Sequence, residues 1–226
     1  MKKIIKILIL IAAIIIFAFL AYKIQYNYLV KILDKVENIN SIKYQSLMSY
    51  GEPSSESIFS NSYIYRRGKG EETEVRMEIF SSSSEKKQPD IITIDNSKKM
   101  YFYRPEQNTI KERDVDYIPN SEGTELSFLE ENKTIKESKV LIVGKELVDG
   151  KDCLIIKQLQ KTGGFIGVAT HWIWIEYGLP IKTKVVDKNT ISDYAIVARR
   201  NVEVNTDISN DLFIPPPGIE IIHIDN

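Results

Sequence analysis

From Lys139 to Val186 the chain alternates short apolar runs, rich in Ile and Val, with turn signals. Val140–Val143 runs into Gly144, and Val148-Asp149-Gly150-Lys151 places Asp-Gly where a tight hairpin needs positive φ. Cys153–Leu159 stops at Thr162-Gly163-Gly164, and Thr170–Ile175 turns at Tyr177-Gly178-Leu179-Pro180 before Ile181–Val186 leaves. The pattern predicts a four-stranded antiparallel meander. Glycine turns and a proline would interrupt every candidate helix here.

Upstream, the two-residue rhythm predicts strands at Ser41–Ser49, Ser57–Arg67, Thr73–Phe80, Ile91–Asp95, Met100–Tyr103 and Thr109–Arg113. Gly51-Glu52-Pro53, Gly68-Lys69-Gly70, the polar run Ser81–Asp90 and Asn96-Ser97-Lys98-Lys99 separate them. Asp114–Lys136 breaks the rhythm with Pro119 and Gly123. It then offers a short helix, capped by Thr124, with Leu126, Phe128 and Leu129 as its apolar contacts. Such an insert is either a lid or a loop packed over the sheet. Downstream, Ser192–Val204 reads as a long strand. Pro215-Pro216-Pro217-Gly218 forbids helix and ladder alike, so Leu212–Ile214 docks before it and Ile219–Ile224 adds an edge strand.

The N-terminus follows a different pattern. Ile7 to Ala21 is uninterrupted and apolar, and with Lys6 and Lys23 snorkelling the window Ile4–Ile24 reaches the roughly 20 residues that span a bilayer. Lysines before the run hold that end in the cytoplasm and put the domain on the extracytoplasmic side. A cleavable signal peptide is the rival, but cutting after Ala21 or Ala18 leaves Phe19 or Ile16 where a small residue is wanted. No cysteine follows the run to carry a lipid. From Tyr26 to Asn40, Leu29, Ile32, Leu33, Val36 and Ile39 fall on one helical face, a second helix that packs on the sheet. The expected division is therefore an anchor over residues 1–25 and an extracytoplasmic domain over 26–226.

At 226 residues, 43% hydrophobic, the chain can bury one full-sized core. Net charge is -1, and the four lysines of residues 1–23 leave −5 for the rest. That sign gives no general attraction to nucleic acid. Catalytic chemistry is sparse. His171, His223 and Cys153 are too few and too scattered for a zinc site or a Cys–His pair, and no phosphate-loop spacing surrounds the glycines. Neither cofactor nor enzyme is expected, and Cys153, inside an apolar run, reads as a small buried hydrophobe. Trp172 and Trp174, two apart on a strand, share one side, either core or the wall of a ligand face. Tyr101 and Tyr103 could extend that wall, with Phe128 and Leu129 from the insert completing the candidate ligand or partner face.

The order of motifs carries a resemblance. An N-terminal helix, successive hairpins and a helical insert come first. They are followed by V-x-G-K-E-L-V-D-G-K-D-C-L-I-I, then W-I-W-I-E-x-G-L-P-I-K, and finally L-F-I-P-P-P-G-I-E-I-I. Over roughly Tyr28 to Ile222 this resembles the LolA/LolB-like superfamily. The resemblance implies a mainly β (α+β) antiparallel half-barrel, lidded by helices, whose concave apolar face receives acyl chains. Within it the chain looks most like relatives from Gram-positive spore formers, the YdcC-type sporulation lipoproteins and the germination protein GerS. That implies a role in spore cortex modification and germination, through a partner such as a cortex N-acetylmuramoyl-L-alanine amidase. The matching location is a single-pass membrane protein facing the intermembrane space between mother cell and forespore.

Two functions follow as expectations. One is a non-catalytic, membrane-anchored binding protein that docks an envelope protein or a second copy of itself through a sheet edge. Ser57–Arg67 and Ile219–Ile224 are the expected edges. The alternative is a lipid or lipoprotein acyl-chain carrier of the cell envelope.

Overall fold

A computed structural model describes residues 2–51, 57–69, 72–81, 88–96, 98–114, 128–162, 165–187 and 194–224. In chain order the elements are α1 (Lys2–Leu33), β1 (Ser41–Gly51), β2 (Ser57–Arg67), β3 (Glu74–Ser81), β4 (Ile91–Asp95), β5 (Lys99–Arg104) and β6 (Thr109–Asp114). Then come α2 (Phe128–Glu137), β7 (Val140–Val148), β8 (Lys151–Thr162), β9 (Phe165–Trp174), β10 (Leu179–Asp187), β11 (Tyr194–Val204) and β12 (Ile221–His223). All twelve strands join one open sheet in the order β12-β6-β5-β4-β3-β2-β1-β11-β10-β9-β8-β7, as a half-barrel requires. Every pairing is antiparallel except β12 on β6.

The meanders arise where the turn chemistry placed them. Asp149 and Gly150 take φ of 48° and 74° between β7 and β8, the conformation that Asp-Gly adopts at low cost. Two meanders, β1–β6 and β7–β11, are joined side by side through β1 and β11. Asn205, at φ 54°, locks that seam. Its amide donates to the Ser41 carbonyl at 2.8 Å, and its side-chain oxygen accepts from the Asn40 amide at 2.8 Å.

Two expectations are corrected. The strand Ser57–Arg67 is not an edge, because it pairs with β1 on one side and β3 on the other. The true edges are β12 and β7. The N-terminal segments are also not two helices. With no glycine or proline between Ala21 and Leu29, α1 runs unbroken from Lys2 to Leu33 and tightens into a 3-10 turn over Asp34–Asn38. Apolar side chains between Ile4 and Ile24 stand exposed, whereas Leu29, Ile32 and Leu33 are fully buried. Among the described residues α1 is the one helix long and apolar enough to cross a membrane.

Strand alternation divides the core between the two faces of the sheet. On one face α1 and α2 cover Val140, Leu154, Ile156 and Ile173, and the core continues through Ile42, Tyr44 and Ile64. On the other, Ile208 and Phe213 from the segment after β11 cover Ile92, Ile94, Tyr101 and Ile110. The segment is held by Arg76, which donates to the Leu212 carbonyl at 3.2 Å, and by Arg67, whose guanidinium lies 4.4 Å from the Phe213 ring.

Candidate ligand-binding face

The helix-bearing face is defined by how α2 is fastened to it. Asn132, 1% exposed, donates from one amide group to the carbonyls of Leu33 (3.0 Å) and Gly178 (2.8 Å). This ties α2 to α1 and to the β9–β10 turn at once. Gly178 is there because nothing larger fits: a Cβ would lie 2.2 Å from the Ile32 carbonyl oxygen, and φ is +69°.

Beneath α2 lies a buried polar network. Arg199 of β11 donates to Glu131 at 3.0 Å and also to the Pro180 carbonyl. The Thr183 hydroxyl donates to the other Glu131 oxygen at 3.2 Å, and His171 Nδ1 stands 3.1 Å from Thr183 Oγ1. His171 Nε2 meets Gln158 Oε1 at 3.0 Å, and Gln158 donates to Ser138 Oγ at 2.7 Å. Ser138 in turn donates to the Thr134 carbonyl at 2.7 Å, returning the chain to α2. Burial pushes the Glu131 carboxyl up, but Arg199, then His171 and Thr183, outweigh it and hold the group below its ordinary range.

Past the Phe128 end of α2 the same face becomes half-buried and apolar. Ser46 and Ser62 are register partners, as are Met48 and Ser60, which gives a floor of small side chains. Met48, Met77, Ile79, Phe102 and Val197 border it, all half-buried and all brought to this side by the ladder. Arg66 closes one end, beside Ile42 and Val75. Burial draws its guanidinium below the ordinary arginine range, with the Tyr44 hydroxyl acting weakly the other way. No carboxylate among the described residues forms an ion pair with it.

The six residues singled out in the sequence do not form one wall. Phe128 is buried on the helix-bearing face, its ring 5.4 Å from that of Tyr44, while its neighbour Leu129 is exposed. Trp172 and Trp174 are one residue out of phase with His171 and Ile173, so their strand phase points to the opposite side, although both pack against the hydrophobic cluster that includes Phe128 and Tyr44. Trp172 donates to Glu146 at 2.7 Å beneath Lys182, and Trp174 packs edge-on against Tyr177. Tyr101 and Tyr103 also lie on that opposite side, five or more strands away, in the cluster under the C-terminal segment. The expected Thr124 cap and Leu126 lie outside the described residues.

Sequence reading passed over Glu131, Arg199, Gln158 and Thr183, and weighed His171 only as a metal ligand or as half of a Cys–His pair. A signal was available. In Leu154-x-Ile156-x-Gln158 and Ala169-x-His171-x-Ile173 a polar residue occupies an inward, otherwise apolar phase. A polar group in that position needs a partner from the element that covers it.

The geometry defines a helix-lidded open β-sheet. No protein-family model matches the chain, and no curated sequence matches it. Solved structures do. An uncharacterized conserved protein from Thermus thermophilus superimposes with TM-score 0.52 at 12% identity, over 86% of this chain and 98% of that one. LprF from Mycobacterium bovis gives 0.52 at 11% identity, over 85% and 96%. MucB of Pseudomonas aeruginosa, in complex with MucA, gives 0.52 at 9% identity over 88% of this chain, which spans 63% of the MucB chain. At these identities the likeness is one of fold.

Proposed function

We propose that this protein is a non-catalytic envelope protein, anchored by α1 with its domain outside the cytoplasm, that binds an acyl chain along the helix-bearing face. The observation that carries the reading is the half-buried apolar strip floored by Ser46, Ser60 and Ser62 and bordered by Met48, Met77, Ile79 and Phe102. Small floor residues leave room, and methionines adapt to a flexible chain. Arg66 gives an acidic head group a counter-ion at one end.

The test is native mass spectrometry of the full-length protein extracted from membranes. Lipid should accompany it, Ile79→Arg should lose the lipid while keeping its circular dichroism, and Trp172→Ala on the other face should retain it. Equal lipid on the wild type and the Ile79 variant would refute the groove. The same spectrum reads the N-terminus: a species beginning near Tyr22 shows a cleaved signal, and one retaining residues 1–23 shows an anchor.

A second reading, docking of a protein such as a cortex amidase in a GerS-like germination role, draws support from MucB having been solved with MucA. The sheet edges give it less room than the sequence suggested. β12 is three residues long, and β7 carries a bulge between Ile142 and Gly144, both devices that blunt edge pairing. An amidase retained by the full-length protein after lipid is stripped would favour this reading.

A further inference from the structure

Three contacts give the direction of α1 across the sheet. The Ile32 carbonyl lies against Gly178 at the β9–β10 turn, and further toward the N-terminus Tyr26 donates to the Lys136 carbonyl at 2.6 Å. Lys136 is two residues from Ser138, which is bonded to Gln158 near the far end of β8. Travelling toward its membrane-spanning part, α1 therefore moves from the β9–β10 turn toward the β8–β9 hairpin. Only four residues separate Ile24, at the end of the apolar window, from fully buried Leu29, a step of five positions. That is about 7 Å of helix. No flexible linker intervenes, so the hairpin end of the domain sits at the level of Tyr22 and Tyr26, whose rings stack 6.2 Å apart.

That end carries exposed apolar side chains. Leu141 is 59% exposed, Leu159 47% and Ile166 38%. Leu141 is paired with Lys157, Lys161 with Ile166, and Leu159 lies between the two lysines on β8, so the three apolar residues are diagonal neighbours along one face. Lys139 and Lys157, both exposed, flank them. Leu159 and Ile166 lie toward the β8–β9 hairpin, and so at the end of the domain from which α1 leaves toward the bilayer.

We infer that Leu141, Leu159 and Ile166 form a second membrane contact, seated in the interface of the same bilayer that holds α1. Apolar side chains enter the head-group boundary, and the two lysines reach up to phosphates. The contact fixes the domain's tilt over the membrane, which a single helix cannot do alone. This rests on α1 remaining in the bilayer, but not on what the helix-bearing face binds.

The experiment uses the full-length protein in vesicles of phosphatidylcholine with a minor fraction of phosphatidylglycerol. Single cysteines at Leu159, Ile166, Leu147 and Ile16 are each labelled with an environment-sensitive dye, and nitroxide-bearing lipid is the quencher. All four positions are exposed, and buried Cys153 does not compete for the label. We expect the dye at 159 and 166 to be blue-shifted and quenched, as at 16, and the dye at 147, 66% exposed near the other end of edge strand β7, to be neither. Quenching at 16 but not at 159 or 166 overturns the second contact and leaves the anchor standing. No quenching at 16 overturns both. Replacing phosphatidylglycerol by phosphatidylcholine separates the parts: loss of quenching at 159 assigns the seat to the lysines, and retention assigns it to the apolar stripe.

Discussion

Arg199 of β11 and Glu131 of α2 face each other at 3.0 Å beneath the lid helix, with side chains 5% and 15% exposed. Neither is solvated well enough to stand alone. We expect Arg199→Met to cost about 3–5 kcal/mol by leaving the carboxylate buried without its cation. The double variant Arg199→Met, Glu131→Leu should cost less than the sum of the singles, which a denaturation double-mutant cycle would measure.

The same carboxyl makes stability depend on pH. Its folded pKa lies below the ordinary value of 4.5, so its contribution is present above that value and is lost as pH falls through the folded pKa. Thermal melting should therefore decline on acidification below about pH 4.5 in the wild type, and decline less steeply in Glu131→Gln. An identical pH profile for the two would show that the network does not couple to folding.

Gly178 and Gly150 separate two effects of glycine. Both have positive φ, +69° and +74°, but a Cβ at Gly150 meets open space while at Gly178 it meets the Ile32 carbonyl at 2.2 Å. Gly150→Ala should cost about 1 kcal/mol for backbone strain alone. Gly178→Ala should cost more, about 2–4 kcal/mol, because α1 must also move off the turn. Equilibrium unfolding of the two variants checks the order.

Cys153 is 0% exposed and its thiol is pushed up to about 11, chiefly by burial. At pH 8 it should be almost wholly protonated and resist a thiol reagent until denaturant is added. Rapid labelling under native conditions would mean that β7 and β8 open readily.

Strands were legible because alternation and Asp-Gly or Gly-Pro punctuation act over a few residues, as at Val148–Lys151. Strand order was less so. Nothing within Ser57–Arg67 tells that β1, its neighbour, will also take β11 from the far end of the chain, making this end of the sheet interior. The tryptophans were seen to share a side, but which side depends on where α1 and α2 land, and that is set by the polar phase at Gln158 and His171. Arg199 and Glu131, 68 residues apart, meet only through tertiary geometry. A periodicity argument ranks each of them as a solvated charge.

The seam between β1 and β11 bears on how the protein comes to exist. Ser41 bonds to Asn205, and most of the chain lies between them. If the domain crosses the membrane in chain order behind α1, β1 emerges early and keeps one edge of its backbone unpaired until β11 arrives. At ordinary synthesis rates the delay is roughly ten to thirty seconds. During that interval the β1–β6 meander can close by itself, whereas the lid network has neither its arginine nor its second helix–turn clasp. The helix-bearing face is thus completed late, on a nascent strand edge that a chaperone or a stray chain could occupy first. Aggregation during export, more than loss of the finished fold, is where substitutions at this seam should first be felt.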